Sequence, residues 1–428
     1  METLLNKISE SGLDASSVSG EEAIIFWNHI RQHIATTPQE KAQSLIISAE
    51  YRNELKQPKI SIEELRSALE HLSLPSDAEL ILEVKNSLAD RLVEGGDYSG
   101  ALQEYISSST IAVDTSHIDA YVLAVLGMGN LCDAYGDHNR ALRYYQKIDG
   151  IDHAISSRSL RLRYKLYMLS CYIELNRTSA AKDLLKECSE LAILVSDKVL
   201  AGQILLYQAK LYRRQGKQDK AIECLGNVQY TAGNIHSIWL SNMIRLELAH
   251  SLNESNKPHL ANWVLESAQK KIRRYASPVL NLKLNTALGD IYEQQGEFQK
   301  ALECQKRAFR IESDLMKQIP IGELGAAQLR RVSRFELQLK LILSELENRE
   351  LKETTESQKH TVAQLQQDVF TDPLTSLHNR RWLDVKLKDL LLHDVPFALM
   401  VIDIDHFKSI NDEPVSYTHL RAHETIQH

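Results

Sequence analysis

A turn signal recurs every 40 residues along this chain, at Gly96, Gly136, Asn176, Gly216, Asn256 and Gly296. Glycine and asparagine reach the left-handed backbone conformation that ends a helix with little strain. Five residues beyond each turn stands an alanine, Ala101, Ala141, Ala181, Ala221, Ala261 and Ala301. Seven residues before each turn stand Ala89, Gly129, Leu169, Ala209, Ala249 and Gly289. Four residues after the alanines come Tyr105, Tyr145, Leu185, Leu225, Leu265 and Gln305, the i, i+4 step of a helix face. Each unit therefore reads as helix, turn, helix, with small residues where two antiparallel helices approach closely. One such pair cannot cover its own apolar face, so units must stack into a continuous core.

Two stretches, LGDIYEQQGEFQKALECQKRAF (288–309) and MGNLCDAYGDHNRALRYYQK (128–147), carry this spacing most plainly. They resemble the tetratricopeptide repeat in their small-residue and aromatic positions, and the array is placed at residues 80–312. A period of 40 exceeds the ~34 residues usual for that repeat, which implies longer helices or loops. The resemblance implies a concave face for a peptide or protein partner, whereas a single aromatic on these helices is ordinarily core. Residues 1–79 contain helical stretches, EEAIIFWNHIRQHI and ISIEELRSALEHL, without the repeat signature. They are expected to form an atypical N-terminal cap.

Composition excludes some classes. With 428 residues and a formal net charge of -7, no basic face suggests nucleic acid as a main partner. The first residues lack a basic segment followed by an apolar core, and no apolar run reaches the ~18 residues of a membrane span. A cytoplasmic protein with no membrane contact is expected. The five cysteines, Cys132, Cys171, Cys188, Cys224 and Cys304, lie far apart without a CxxC pair. That pattern suits reduced, packed thiols better than disulfides or a zinc site.

After the array, residues 313–369 read as a connecting helix. Val332, Phe335, Leu339, Ile342 and Leu346 are spaced 3, 4, 3, 4, the seam of a coiled coil, and Val362, Leu365 and Val369 form a second short seam. A homodimer joined through this helix is expected, the alternative being a solvated helix packed on the last repeat. Asp372-Pro373 should end it, since the residue before proline avoids helical angles.

Beyond that boundary, Leu383, Leu387, Leu390 and Leu391 share one helix face, and FALMVI (397–402) has the composition of a buried strand. Asp403 stands where the apolar run ends, the place on an open α/β sheet where ligands usually bind. DPLTSLHNRR (372–381) followed at this distance by DIDHFKSIND (403–412) resembles the opening of the GGDEF domain, the diguanylate cyclase family, which condenses two GTP molecules into cyclic dimeric GMP. The segment 370–413 corresponds to about the first quarter of such a domain, with Ser376 where the family usually has glycine.

The resemblance implies roles residue by residue. Asp403, through its carboxylate, and Ile404, through its backbone carbonyl, would hold Mg²⁺; Phe407 and Lys408 would meet the triphosphate, and Asn411 the guanine edge. A hard cation suits oxygen ligands, and an asparagine amide offers a base both donor and acceptor. Two such domains facing each other would bring a ribose 3′-hydroxyl to the neighbour's α-phosphate. The family's GHxxGD and GG(D/E)EF motifs do not occur in the 428 residues. VSYTHLRAHET (415–425) instead resembles a translated sequencing-library adapter, so 414–428 is expected to be a non-native tail and the His419, His423 pair no metal site.

The expected fold is all-α: a helix-turn-helix solenoid of period 40, a long coiled-coil-like helix and a truncated α/β fragment. The expected function is a signalling protein whose repeat array controls a diguanylate cyclase in the intact parent, the chain itself being inactive. The alternative is a helical scaffold or adaptor that binds a partner protein and has no enzymatic activity.

Overall fold

A computed structural model describes residues 2–231, 237–272, 277–394, 396–403 and 405. The chain divides into two compact units, Met1–Leu343 and Ser344–His428. The first opens with α1 (Glu2–Glu10) and α2 (Gly20–His33), which pair through Leu4, Ile8, Trp27 and Ile30. Helix pairs follow: α3 (Pro38–Glu54) with α4 (Pro58–Glu70), α5 (Ala78–Glu94) with α6 (Tyr98–Asp114), and α7 (Ile118–Ala134) with α8 (His138–Asp149). The series continues through α9 (Arg158–Glu174) with α10 (Thr178–Ala192), and α11 (Lys198–Arg214) with α12 (Gln218–Thr231). It closes with α13 (Ile238–Glu254) and α14 (Pro258–Ile272), then α15 (Pro278–Gln294) and α16 (Phe298–Gln318).

The six turn residues all adopt the left-handed conformation, with φ from 57° at Asn256 to 88° at Gly136. Each lies just past a first helix and closes its open carbonyls. Behind α7, the Gly136 N–H donates to Asp133 O at 2.9 Å and the Asp137 N–H to Cys132 O at 3.0 Å. The six alanines are buried at the pair interfaces. Gly136→Ala forces a Cβ onto a left-handed residue and is expected to cost about 1 kcal/mol, read as a lower urea midpoint. An unchanged midpoint would mean that the turn does not constrain the pair.

The register reaches further back than the sequence signature. The helices α3 and α4 begin 40 residues before α5 and α6. Lys56, 40 residues before Gly96, has φ 60°. Ala49 and Ser61 fill the small-residue positions, and the Ser61 hydroxyl donates to Ala49 O at 2.7 Å. The cap expected over 1–79 is therefore shorter, α1 and α2 alone. Lysine at the turn and serine at the contact hid this unit, because backbone geometry and size are kept there while residue type is not.

First helices pack on one another in series, α5 on α7 through α13 on α15, as well as on their partners. The layer they form is the tighter one, which makes it the inner face of the curve.

The helix α16 runs past the expected end of the array at 312 and is followed by a turn from Ile319 to Gly325, then by α17 (Ala326–Phe370). The seam expected to be free for a partner is largely covered within the first unit. Val332 and Leu339 are buried, and the Phe335 ring meets Tyr121 edge-on with centroids 6.5 Å apart. Partners of α17 include Thr110 of α6, Tyr121 and Met128 of α7 and Lys147 of α8. Leu346 and Val362 stay exposed.

The second unit holds the remainder of α17 and α18 (Arg380–Leu392), which buries none of its residues. Residues 397–402, expected as a buried strand, have no regular secondary structure and are exposed. A strand needs neighbours for its N–H and C=O groups, and no strand is present among the described residues to supply them.

Candidate functional site

A cavity of about 370 Å³ opens on the inner face of the array. Its walls are Asp133 of α7, His138 of α8, Glu174 of α9, Lys210 and Arg214 of α11, His250 of α13 and Lys283 of α15, with Leu315 and Met316 of α16 on one side. Successive first helices each present the same face, so residues 33 to 41 apart converge there.

Most of these charges are already matched. Lys210 and Arg214 meet Glu174 at 3.1 and 3.0 Å. Burial alone would raise the Glu174 pKa, but Lys210 first, then Lys283 and Arg214, outweigh it and hold the carboxyl at about 2. Arg213 joins Glu247 at 2.6 Å and Glu254 at 2.5 Å. Lys283 has no ion pair within 4 Å among the described residues; the enclosing walls and then the Lys210 ammonium lower its pKa. Enclosing walls lower the His250 pKa as well. Lys283 thus places an amine without a close ion pair beside an apolar flank of Met243, Leu246, Leu282 and Met316.

Asp133, His138 and Cys171 bring three possible metal-ligating atoms within 4.8 Å of one another in this wall. The sequence hides them, because they come from two repeat units. His138 Nδ1 lies 2.7 Å from Asp133 Oδ1, and the bond raises the histidine pKa. The Cys171 thiol, pushed up by burial and by Asp133, donates toward the same oxygen at 3.7 Å. Hydrogen bonding accounts for the group without a cation. All five cysteines are buried free thiols.

The second unit keeps the local turn ahead of α18. The Asp372 carboxylate accepts from Thr375 N at 3.0 Å, Thr375 Oγ1 at 3.0 Å and Leu374 N at 3.1 Å, which lower its pKa. Asn379 caps α18 by accepting from Trp382 N at 3.2 Å, and its amide donates to Val369 O at 2.7 Å. Ser376 has φ 61°, the conformation for which glycine is suited. Asp403 is exposed at the end of the apolar run. Ile404, Phe407, Lys408 and Asn411 lie outside the described residues, as does the tail from 414. No helix among the described residues is long and apolar enough to cross a membrane.

Comparison with known proteins agrees with both halves. The diguanylate cyclase GGDEF domain family matches residues 369–419, and the tetratricopeptide repeat family matches residues 282–315. Diguanylate cyclase VdcA of Vibrio cholerae serotype O1 is 36% identical over 69 residues, 16% of this chain and 20% of that protein. The chain thus matches about a fifth of the length of this relative. Among solved structures, the apo form of RapI superposes with a TM-score of 0.50 at 16% identity, covering 65% of this chain and 99% of that one. Rap protein complexed with Competence and Sporulation Factor gives 0.52 at 17% identity, with 69% and 81% covered. At such identities the likeness to the solved structures is one of fold alone, a helical tetratricopeptide-type array.

Proposed function

We propose that the chain is the sensor half of a cyclic dimeric GMP signalling protein, in which the repeat array controls a diguanylate cyclase domain that begins near residue 370. The observation that carries this is the joining of a GGDEF match at 369–419 to a repeat array in one polypeptide. The array takes a peptide or protein, a reading supported by the cavity on its inner face and by a similarly folded Rap protein complexed with Competence and Sporulation Factor. GTP is the substrate of the intact cyclase.

The donor types fit a magnesium ion: the exposed Asp403 carboxylate and the backbone carbonyl of Ile404 are both hard oxygen ligands. When bound, the ion would neutralise charge on the triphosphate. The residues of this chain supply one carboxylate, the Phe407 and Lys408 contacts to phosphate, and Asn411 for the guanine edge. Positioning and charge neutralisation supply most of the rate in phosphoryl chemistry, so lacking a second carboxylate should abolish turnover.

The test is incubation of the purified 428-residue chain with GTP and Mg²⁺, with cyclic dimeric GMP followed by chromatography. No product is expected; product would overturn the view that the site is incomplete. The source gene sequenced beyond codon 412 supplies the other arm. An intact GHxxGD and GG(D/E)EF supports the cyclase, and degenerate motifs turn the protein into a helical receptor or adaptor.

A further inference from the structure

One apolar seam on α17 faces two incompatible demands. Val332, Phe335 and Leu339 continue through Ile342 to Leu346 at coiled-coil spacing, which suits a second copy of the helix. Yet Val332 and Leu339 are no more than 1% exposed, covered by the array of their own chain. The seating is specific, since polar groups of the array reach the backbone that leads into the seam. Arg140 donates to Ile321 O at 2.7 Å, Tyr144 Oη to Leu324 O at 2.9 Å and Tyr121 Oη to Val332 O at 3.2 Å. Arg331 donates to Thr110 Oγ1 at 2.7 Å, and Lys147 meets Glu336 at 3.3 Å.

We propose that residues 319–340 are a latch: docked on α6–α8 they withhold the seam, and released they pair with α17 of a second copy of this chain. The proposal rests on reading the array as a sensor, but its test needs neither a ligand nor GTP. The latch also borders the cavity in sequence. Leu315 and Met316 line the cavity, and Ile319, one helical turn beyond Leu315, is buried at the start of the latch. An occupant that shifts α16 would pull on the docked segment directly. The seam is only about two heptads long, so pairing in trans is weak enough to be withheld by docking.

Gly150 gives a clean probe, because a Cβ there would collide with the Glu336 carboxylate and approach Lys340 Nζ at 3.1 Å. Its φ is −61°, so a side chain adds no backbone strain. In Gly150→Trp, amide exchange across 328–340 is expected to rise about tenfold or more, with local opening. Light scattering should show the mass moving from monomer toward dimer as concentration increases. Adding Leu339→Glu should keep exchange fast and restore the monomer. Lys147→Glu, which sets a carboxylate against Glu336, should give the same release and serves if the tryptophan variant loses its helical signal. Unchanged exchange in both variants overturns the latch. Fast exchange with a monomer at every concentration overturns pairing through the seam, as does a dimer that survives Leu339→Glu.

Discussion

Gly127→Leu is expected to cost the array about 3 kcal/mol or more, the upper range for overpacking. Gly127 sits inside α7, where glycine ordinarily costs about 1 kcal/mol relative to alanine, so a packing reason must favour it. A Cβ built there would collide with the nearest carbons of the Tyr105 ring. That ring is buried between units, 3% exposed, and its hydroxyl donates to Asp90 Oδ1 at 2.6 Å. Leucine therefore expels the tyrosine, opens its hydrogen bond and separates α6 from α7. In a solenoid each unit is held by its neighbours, so the loss should split one cooperative urea transition into two as well as lower the midpoint. Tyr105→Ala added to Gly127→Leu should recover part of the loss by making room. A double variant no more stable than Gly127→Leu alone would show that the glycine serves something other than the ring.

The same contact shows what the sequence displays and what it hides. The period was legible because six turns need a left-handed residue and six helix crossings need a small one, constraints that act on residue type directly. The α3 and α4 pair obeys the same geometry with Lys56 and Ser61, types that composition gives no reason to single out. The seam on α17 was legible as apolar spacing, but spacing does not say which surface covers it. Val332 and Leu339 would read the same against α7 or against a second helix. The candidate site divides in the same way. The cyclase opening is contiguous, so its residues could be named from sequence. The cavity gathers Asp133, Glu174, Lys210 and Lys283 from four units, and only the superhelix brings them together. FALMVI failed as a strand for a third reason: its composition fits burial in a sheet whose other strands are not among the described residues.

Lys165→Met is expected to cost about 2 kcal/mol at pH 7, between the ~1 of an exposed ion pair and the ~3–5 for breaking a buried one. The ammonium, with a side chain only 4% exposed, lies 2.9 Å from Glu187, 3.4 Å from Asp149 and 3.6 Å from Asp152. Methionine keeps the buried stem and removes the charge. Asp149 and Glu187 are half-exposed and can recover water, and Asp152 keeps Arg161 at 2.5 Å and the Tyr164 hydroxyl at 2.6 Å, which limits the loss. Burial alone would lower the Lys165 pKa, but Glu187 and Asp152 outweigh it and raise it. Its contribution is then complete below the unfolded value of ~10.4 and fades as pH rises through the higher folded value. Burial would likewise raise the Asp152 pKa, but the bonds from Arg161 and Tyr164 lower it. That contribution is present above the unfolded value of ~3.9 and disappears as pH falls through the lower folded value. The gap between native chain and variant, measured by urea unfolding, should therefore be level from about pH 5 to 9 and shrink toward pH 2. A gap that keeps its size in acid would mean that methionine disturbs packing, and that the carboxylates around Lys165 contribute little.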